Sequence, residues 1–389
     1  MANMNVDTDA KTRKWTDLEE YVMNSVETAF PAILSTEREN TKSYPERYKD
    51  LTIRLGKEQD NVEYENTLSS FLEEINKLSS GELNNINVKK EIYDKIIVLN
   101  RHGKGHIESV IKHASSMIKY IQNDEEKWRI EPYEAFILLC AIQIHDLGNK
   151  YGREEHTTTF YKDFIKYANE SFITSGALKE CIYQIARVHG GKIEGDKDTI
   201  GKAKLQSKKT IDNIDINQQF LAAVLRFSDE LADDQSRAKE INDIPEYSKI
   251  FHAYSSSLHT SQIIKNKMND TYSVKLCYFL NKDEALKQYK KIDENGIIEE
   301  VNLIDEIFNR TIKMERERRY CSRYFYPYLQ INEIIVELEI LSSTFIKYQM
   351  QYTLPAKGYP LEDICIPDRE KYISQIMENT TQGGLNTYE

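Results

Sequence analysis

The sequence predicts a mainly α protein, a helical core built around a metal site followed by a small α+β extension over residues 246–350. Three observations carry that expectation. Apolar stripes at helical spacing recur from Trp15 to Ala232. The stretch Arg101–Asp234 holds His102, His106, His113, His145, His156 and His189, six of the eight histidines of the chain, together with Asp146 and Asp229. After residue 245 the pattern changes to alternating segments around one long charged helix.

The chain has 389 residues, enough for two domains or for one domain with large elaborations. Apolar residues make up 40% and charged residues 30%, the composition of a globular protein that stays in water. The net charge is −11, which argues against non-specific wrapping of nucleic acid, because that binding needs basic charge to replace counterions. A lysine-rich loop over 192–209 keeps a local contact with nucleic acid open. Cys140, Cys181, Cys277, Cys321 and Cys365 form no CxxC pair, so the expectation is a reducing compartment, the cytoplasm, and no zinc ribbon. Residues 1–14 are polar and lack an apolar signal core. No apolar run approaches the ~18 residues that span a bilayer, so no membrane partner is expected.

Four segments are expected: an N-terminal helical segment over 1–86, the core over 87–245, the extension over 246–350 and a tail over 351–389. In the first, Leu18, Tyr21, Val22, Val26 and Phe30 mark a helix over Trp15–Leu34 with Thr16 as N-cap. Residues 37–60 read as a loop with one short helix. Leu68, Phe71, Leu72, Ile75 and Leu78 mark a further helix over Tyr64–Leu78. Within the core, residues 87–100 form a short helix leading into the stripe Val110, Ile111, Met117, Ile118 and Ile121. His106 and His113 are seven residues apart and fall on one side of that helix.

Glu131–Leu147 is the most apolar helix of the chain, with Pro132 at its first position and Gly148 just past its end. His145 and Asp146 fall in its last turn, where burying them is costly unless something neutralises the charge. Further helices are expected over Thr157–Asn169, Ala177–Val188 and Gln218–Ala232, the last carrying Asp229. Lys192–Ile214 reads as a polar loop. In the extension, Tyr272–Leu280 and Ile331–Leu341 alternate as strands, and Val301–Phe325 is a long helix rich in Arg and Glu. That helix and the 25 tyrosines leave room for a homo-oligomeric interface.

The segments HGKGHIESV, IHDLGN, ARVHGG and LRFSDELAD resemble the HD superfamily of metal-dependent phosphohydrolases, with its H…HD…D pattern, over about 101–234. The resemblance implies a helical metal site in which His106, His145, Asp146 and Asp229 hold one divalent ion (Mn, Fe, Mg, Co or Zn). Two-metal members add histidines between the doublet and the last Asp, and His156 and His189 lie in that interval. The HD-GYP type carries adjacent histidines and a GYP motif, whereas this chain has His189-Gly190 and no GYP. Farther on, RERRYCSRYF resembles the extension of HD proteins linked to bacterial conflict and defence systems.

The implied chemistry is attack of metal-generated hydroxide on a phosphoester or phosphoanhydride of a nucleotide. Asp146 either bridges two ions or ligates one and orients the water. Lys104, Arg153, Arg187 and Lys192 are the candidates for phosphate contacts, and His102, Lys104 and Arg153 join Asp146 as catalytic candidates. Two alternatives stand beside this reading: a cyclic mono- or dinucleotide phosphodiesterase, and a non-hydrolysing nucleotide sensor acting through the C-terminal extension.

Overall fold

A computed structural model describes residues 14–32, 42–59, 77, 103–151, 160–238, 244–266, 271–292, 298–342, 345–355, 370 and 374. The expected helices over Tyr64–Leu78 and 87–100 lie outside these residues, as do His102, Arg153, His156 and Cys365. Among the described residues helix dominates. No described helix is long and apolar enough to cross a membrane. The chain divides into two compact units. The first comprises 1–69, 102–232 and 324–328, and the second 70–101, 233–323 and 329–389.

In the first unit, helix α1 (Asp17–Met23) starts at a capping box, in which the Glu19 carboxylate accepts from the Thr16 backbone N–H at 2.9 Å. It is shorter than the stripe suggests. A 3-10 turn at Glu27–Ala29 and Pro31 follow, and Val26 is exposed rather than part of a helical stripe. Helix α2 (Tyr44–Gln59) is the helix expected within 37–60, but at 16 residues it is long rather than short. Tyr44, Tyr48, Leu51 and Leu55 recur at helical spacing and are buried, an apolar stripe that charged neighbours hide in the sequence.

Helix α3 (Lys104–Ile118) ends before Ile121, which stands 62% exposed on a hairpin of β1 (Lys119–Gln122) and β2 (Glu125–Trp128). Asn123 and Asp124, both with positive φ, make the two-residue turn that stops the helical pattern there. Helix α4 (Pro132–Ile144) opens with Pro132 at its first turn and is buried along every residue except Glu134. Helices α6 (Gly176–Arg187) and α8 (Gln218–Leu231) pack against it, α5 (Tyr161–Glu170) packs on α2 and α6, and the short α7 (Thr199–Lys202) and the hairpin β3 (Lys209–Ile211) and β4 (Ile214–Ile216) lie between α6 and α8 in the chain. These last elements replace the polar loop expected over 192–214.

Side chains fix how the helices start. Ser175 Oγ accepts from Leu178 N at the head of α6, and Asn217 Oδ1 accepts from Phe220 N at 3.0 Å at the head of α8. Glu134 of α4 accepts from Asn217 N at 2.9 Å, tying the two helix starts together. Burial pushes that carboxyl above its ordinary range. Inside the bundle, Gln143 donates to the Tyr48 hydroxyl at 3.0 Å, and that hydroxyl donates to Glu19 at 2.8 Å. Three elements share this buried polar chain.

The second unit contains helix α9 (Lys249–Ser257), strands β5 (Leu258–Lys265) and β6 (Tyr272–Asn281), the short α10 (Lys282–Ala285), and the hairpin β7 (Gln288–Ile292) and β8 (Ile298–Asn302). Helix α11 (Leu303–Phe325) and strands β9 (Ile331–Ser342) and β10 (Phe345–Pro355) complete it; from Tyr324 onward the end of α11 groups with the first unit. The four-stranded sheet has the order β10-β9-β6-β5, with β6 and β9 parallel and the outer pairs antiparallel. The two strands expected here are present, but β10 runs across the anticipated start of the tail at 351. Along β9, Ile334, Val336, Leu338 and Ile340 are fully buried, as period-two alternation requires.

Among the described residues of this unit, buried charges are found in pairs. Glu306 accepts from Lys291 and Arg310 at 2.8 Å each, and Glu315 receives two bonds of 2.7 Å from the fully buried Arg318. Asp233 accepts from Ser255 Oγ at 2.8 Å and lies 3.5 Å from Arg310.

Candidate metal centre

Four side chains from three helices of the first unit converge. His106 sits in the first turn of α3, His145 and Asp146 directly follow α4, and Asp229 is in the last turn of α8. One donor atom from each lies within 4.8 Å of all the others. The two histidine Nε2 atoms face each other at 3.4 Å. His106 Nε2 is 3.1 Å from Asp229 Oδ1 and 3.4 Å from Asp146 Oδ2, and His145 Nε2 is 3.1 Å from Asp146 Oδ2 and 3.6 Å from Asp229 Oδ1.

Those spacings suit a divalent ion. Donors held about 2.1 Å from a common centre at tetrahedral or octahedral angles lie about 3.0–3.4 Å from one another. The set of two imidazoles and two carboxylates, without a thiolate, fits an ion that keeps open positions. His145 Nδ1 is 2.7 Å from the Ile142 carbonyl oxygen, which can only accept. A proton therefore sits on Nδ1, and Nε2 is the atom aimed into the cluster, the one that would ligate an ion once it has given up its own proton.

Asp146 is oriented as well. Its Oδ1 accepts from Asn149 Nδ2 at 2.9 Å, which leaves Oδ2 for the two histidines. On its other side, Asp146 Oδ1 is 3.8 Å from His189 Nε2. His189 follows the end of α6, is buried, and packs edge-on against His145 with ring centroids 4.8 Å apart. Its Nδ1 donates to the Ala186 carbonyl at 2.7 Å, the same arrangement that orients His145. Asp146 thus stands between the four-residue cluster and a fifth inward-facing imidazole.

The electrostatics are those of a tightly coupled set. Burial opposes charging His145, but the carboxylates of Asp146 and Asp229 outweigh it and hold the imidazole well above its ordinary pKa. For Asp229 burial acts upward, and hydrogen bonds from His106 and His145 with their charge pull the carboxyl well below its ordinary value. In the metal-free protein a proton does part of the work that a cation can do.

The other residues singled out from the sequence are placed as follows. Lys104 is exposed at the start of α3, and its side chain lies against Gly56, where an added Cβ would come 2.9 Å from Lys104 Cε. Arg187 ends α6 two residues before His189. Its Nε is buried with no hydrogen-bond partner among the described residues, and its guanidinium lies 5.9 Å from the Tyr183 ring centre. Lys192 is exposed just beyond Gly191, whose φ of 70° permits the turn out of α6. His113 is buried on α3, and His252 is buried on α9 in the second unit.

Sequence reasoning missed two supports. Asn149 follows the doublet within IHDLGN and orients Asp146. Arg226, one turn before Asp229, is buried and donates to Thr199 Oγ1 at 2.8 Å and to the Lys197 carbonyl at 3.2 Å. Thr199 Oγ1 in turn donates to the carbonyl of Val188, the residue before His189, at 2.7 Å. The helix that carries Asp229 is thereby tied to the segment that presents His189. An arginine within an otherwise apolar helical stripe was the available signal.

A helical bundle with histidine and aspartate donors meeting at helix ends defines an HD-type domain. The model of the HD-CE family matches residues 93–295, and the chain belongs to that family. The match takes in all four clustered residues and continues through β7 of the second unit. No curated protein and no solved structure matches the chain.

Proposed function

We propose that this protein is a metal-dependent phosphohydrolase that cleaves a phosphoester or phosphoanhydride bond of a nucleotide. The observation that carries the reading is the cluster of His106, His145, Asp146 and Asp229, with each histidine Nε2 3.1–3.6 Å from both carboxylates, all four donors within 4.8 Å of one another, and the histidines buried. These four residues hold the ion. A divalent ion bound there acidifies a water molecule and screens the charge of the phosphate it approaches.

The chain's own groups do the rest. Asp146 Oδ2 serves the cluster while Asn149 fixes the carboxylate's orientation. Arg187 supplies a cation for phosphate oxygens, since its buried Nε has no acceptor among the described residues. Lys192 and Lys104 are exposed cations beside His189 and His106 in sequence and extend the same role. Arg153, His102 and His156 keep the roles expected from the sequence: phosphate contact, catalytic candidate and additional ligand.

A second reading, a cyclic mono- or dinucleotide phosphodiesterase using two ions, is favoured by one observation. His189 Nε2 faces Asp146 Oδ1 at 3.8 Å, a spacing that supports a bridging role for Asp146. Incubation with Mn or Mg against linear and cyclic nucleotides, with products identified by mass, separates the readings. Release of phosphate or polyphosphate supports the first and ring opening the second. Silence across the panel by metal-loaded protein refutes both and leaves a nucleotide sensor.

A further inference from the structure

The second unit contains a cleft of about 520 Å³. Its place in the sheet is informative. Strands β6 and β9 run parallel and end in register, Leu280 opposite Ile340 and Asn281 opposite Leu341. Leu280, Asn281 and Leu341 line the cleft, so it opens at the carboxyl ends of the parallel pair, and Leu303, the first residue of α11, lines it too. In open α/β sheets ligands bind beyond the carboxyl ends of parallel strands; here β6 is followed by α10, while β9 turns back into β10. The volume lies in the range of about 300–1,000 Å³ that small-molecule sites occupy.

The lining states what kind of molecule fits. The floor is apolar, with Leu280 and Leu303 each 2% exposed and the Tyr289 ring buried beside them. One wall is aromatic: the His259 and Phe279 rings meet edge-to-face, centroids 4.8 Å apart at 66°. Glu284 and Asn281 stand exposed at the rim, a carboxylate acceptor and an amide that both donates and accepts. Among the described residues no lysine or arginine lines the cleft, so a phosphate would meet the Glu284 carboxylate.

We propose that this cleft is a binding site for a planar heterocycle of nucleoside size without phosphate. The ring packs against Phe279 and His259, and its amino or hydroxyl groups bond to Glu284 and Asn281. The site shares no residue with the metal centre and does not depend on the reaction proposed there.

The test is calorimetric titration of the full chain, in chelator, with free nucleobases, ribonucleosides and the matching 5′-monophosphates. The expected result is binding of at least one base or nucleoside, with its monophosphate weaker. Phe279→Ala should lose about tenfold or more, the scale of one lost base–aromatic stack. Because Phe279 is half-buried, Glu284→Lys at the exposed rim is the second variant. It should leave the fold intact and invert the preference toward the monophosphate. His145→Ala should bind as the wild type does. No binding of any base or nucleoside at millimolar concentration overturns the proposal. So does binding that His145→Ala abolishes and Glu284→Lys leaves unchanged, since the ligand then sits at the metal centre.

Discussion

Replacing Arg226 by alanine should loosen one segment of the first unit and leave the rest in place. The guanidinium is buried and donates to Thr199 Oγ1 at 2.8 Å and to the Lys197 carbonyl at 3.2 Å. A hydrogen bond from a charged donor contributes about 1.5–3 kcal/mol net. Lys197 is exposed, so water replaces the guanidinium there at small cost, whereas Thr199 is fully buried and loses its partner. The expected loss is about 2–3 kcal/mol of local stability, a factor of about 30–150 in the opening equilibrium. Hydrogen exchange reads it directly, because the Ile193 and Asp196 amides bond to each other's carbonyls across the turn that Arg226 holds, at 2.9 and 3.0 Å. Those two amides should exchange faster by that factor while the α4 amides keep their protection. Arg226→Lys should recover part of the effect. Unchanged exchange at Ile193 and Asp196, or an equal acceleration throughout α4, would refute the claim that Arg226 positions the segment leading from His189.

Three further outcomes are expected. Asn149→Ala removes the 2.9 Å bond that orients Asp146, and should weaken Mn affinity by about 10–100-fold with an unchanged circular dichroism spectrum. Tyr48→Phe removes the hydroxyl shared by Gln143 and Glu19, and should cost about 1–3 kcal/mol in chemical denaturation. The metal-free protein should have a stability maximum on the acid side of neutrality. His145 is raised, so its contribution is complete below about pH 6.5 and is lost as pH rises through the folded value; Asp229 is lowered, so its contribution is present above about pH 4 and is lost as pH falls. Mn should abolish the alkaline decline and release protons on binding, and melting curves against pH with Mn or chelator check this. A metal-independent pH profile would contradict it.

The helices that carry the site were legible because their signals are local. Pro132 starts α4, an unbroken apolar run buries it, and His145-Asp146 at its end stands out as a charge with no apolar reason to be there. Asp229 lies on a stripe that the structure retains over Gln218–Leu231. What stayed hidden depends on distant partners. The stripe of α2 is diluted by charges on its exposed face, so only its packing on α1 and α4 reveals a helix of sixteen residues. Strand β5 (LHTSQIIK) mixes exposed and half-buried positions because it edges the sheet, and β10 owes its place to pairing with β9. Ile121 extends the helical pattern of α3 in sequence, yet the Asn123-Asp124 turn takes it into a hairpin. Of the residues proposed to act, the geometry joins His106, His145, Asp146 and Asp229, with His189 beside Asp146. Asn149 and Arg226 act through other residues: Arg226 shows in the sequence only as a charge in an apolar stripe, without its distant partners, and nothing around Asn149 announces its part.

The central claim is that four residues from three helix ends hold one divalent ion. Titration with Mn, followed by metal analysis of the desalted protein, tests it in the wild type, His145→Ala, Asp146→Ala and Asp229→Ala. Circular dichroism serves as the check on folding. The account predicts at least one bound ion per wild-type chain, and loss of that ion in each variant while the helical spectrum persists. An ion retained at wild-type affinity by folded His145→Ala or Asp229→Ala protein would contradict it.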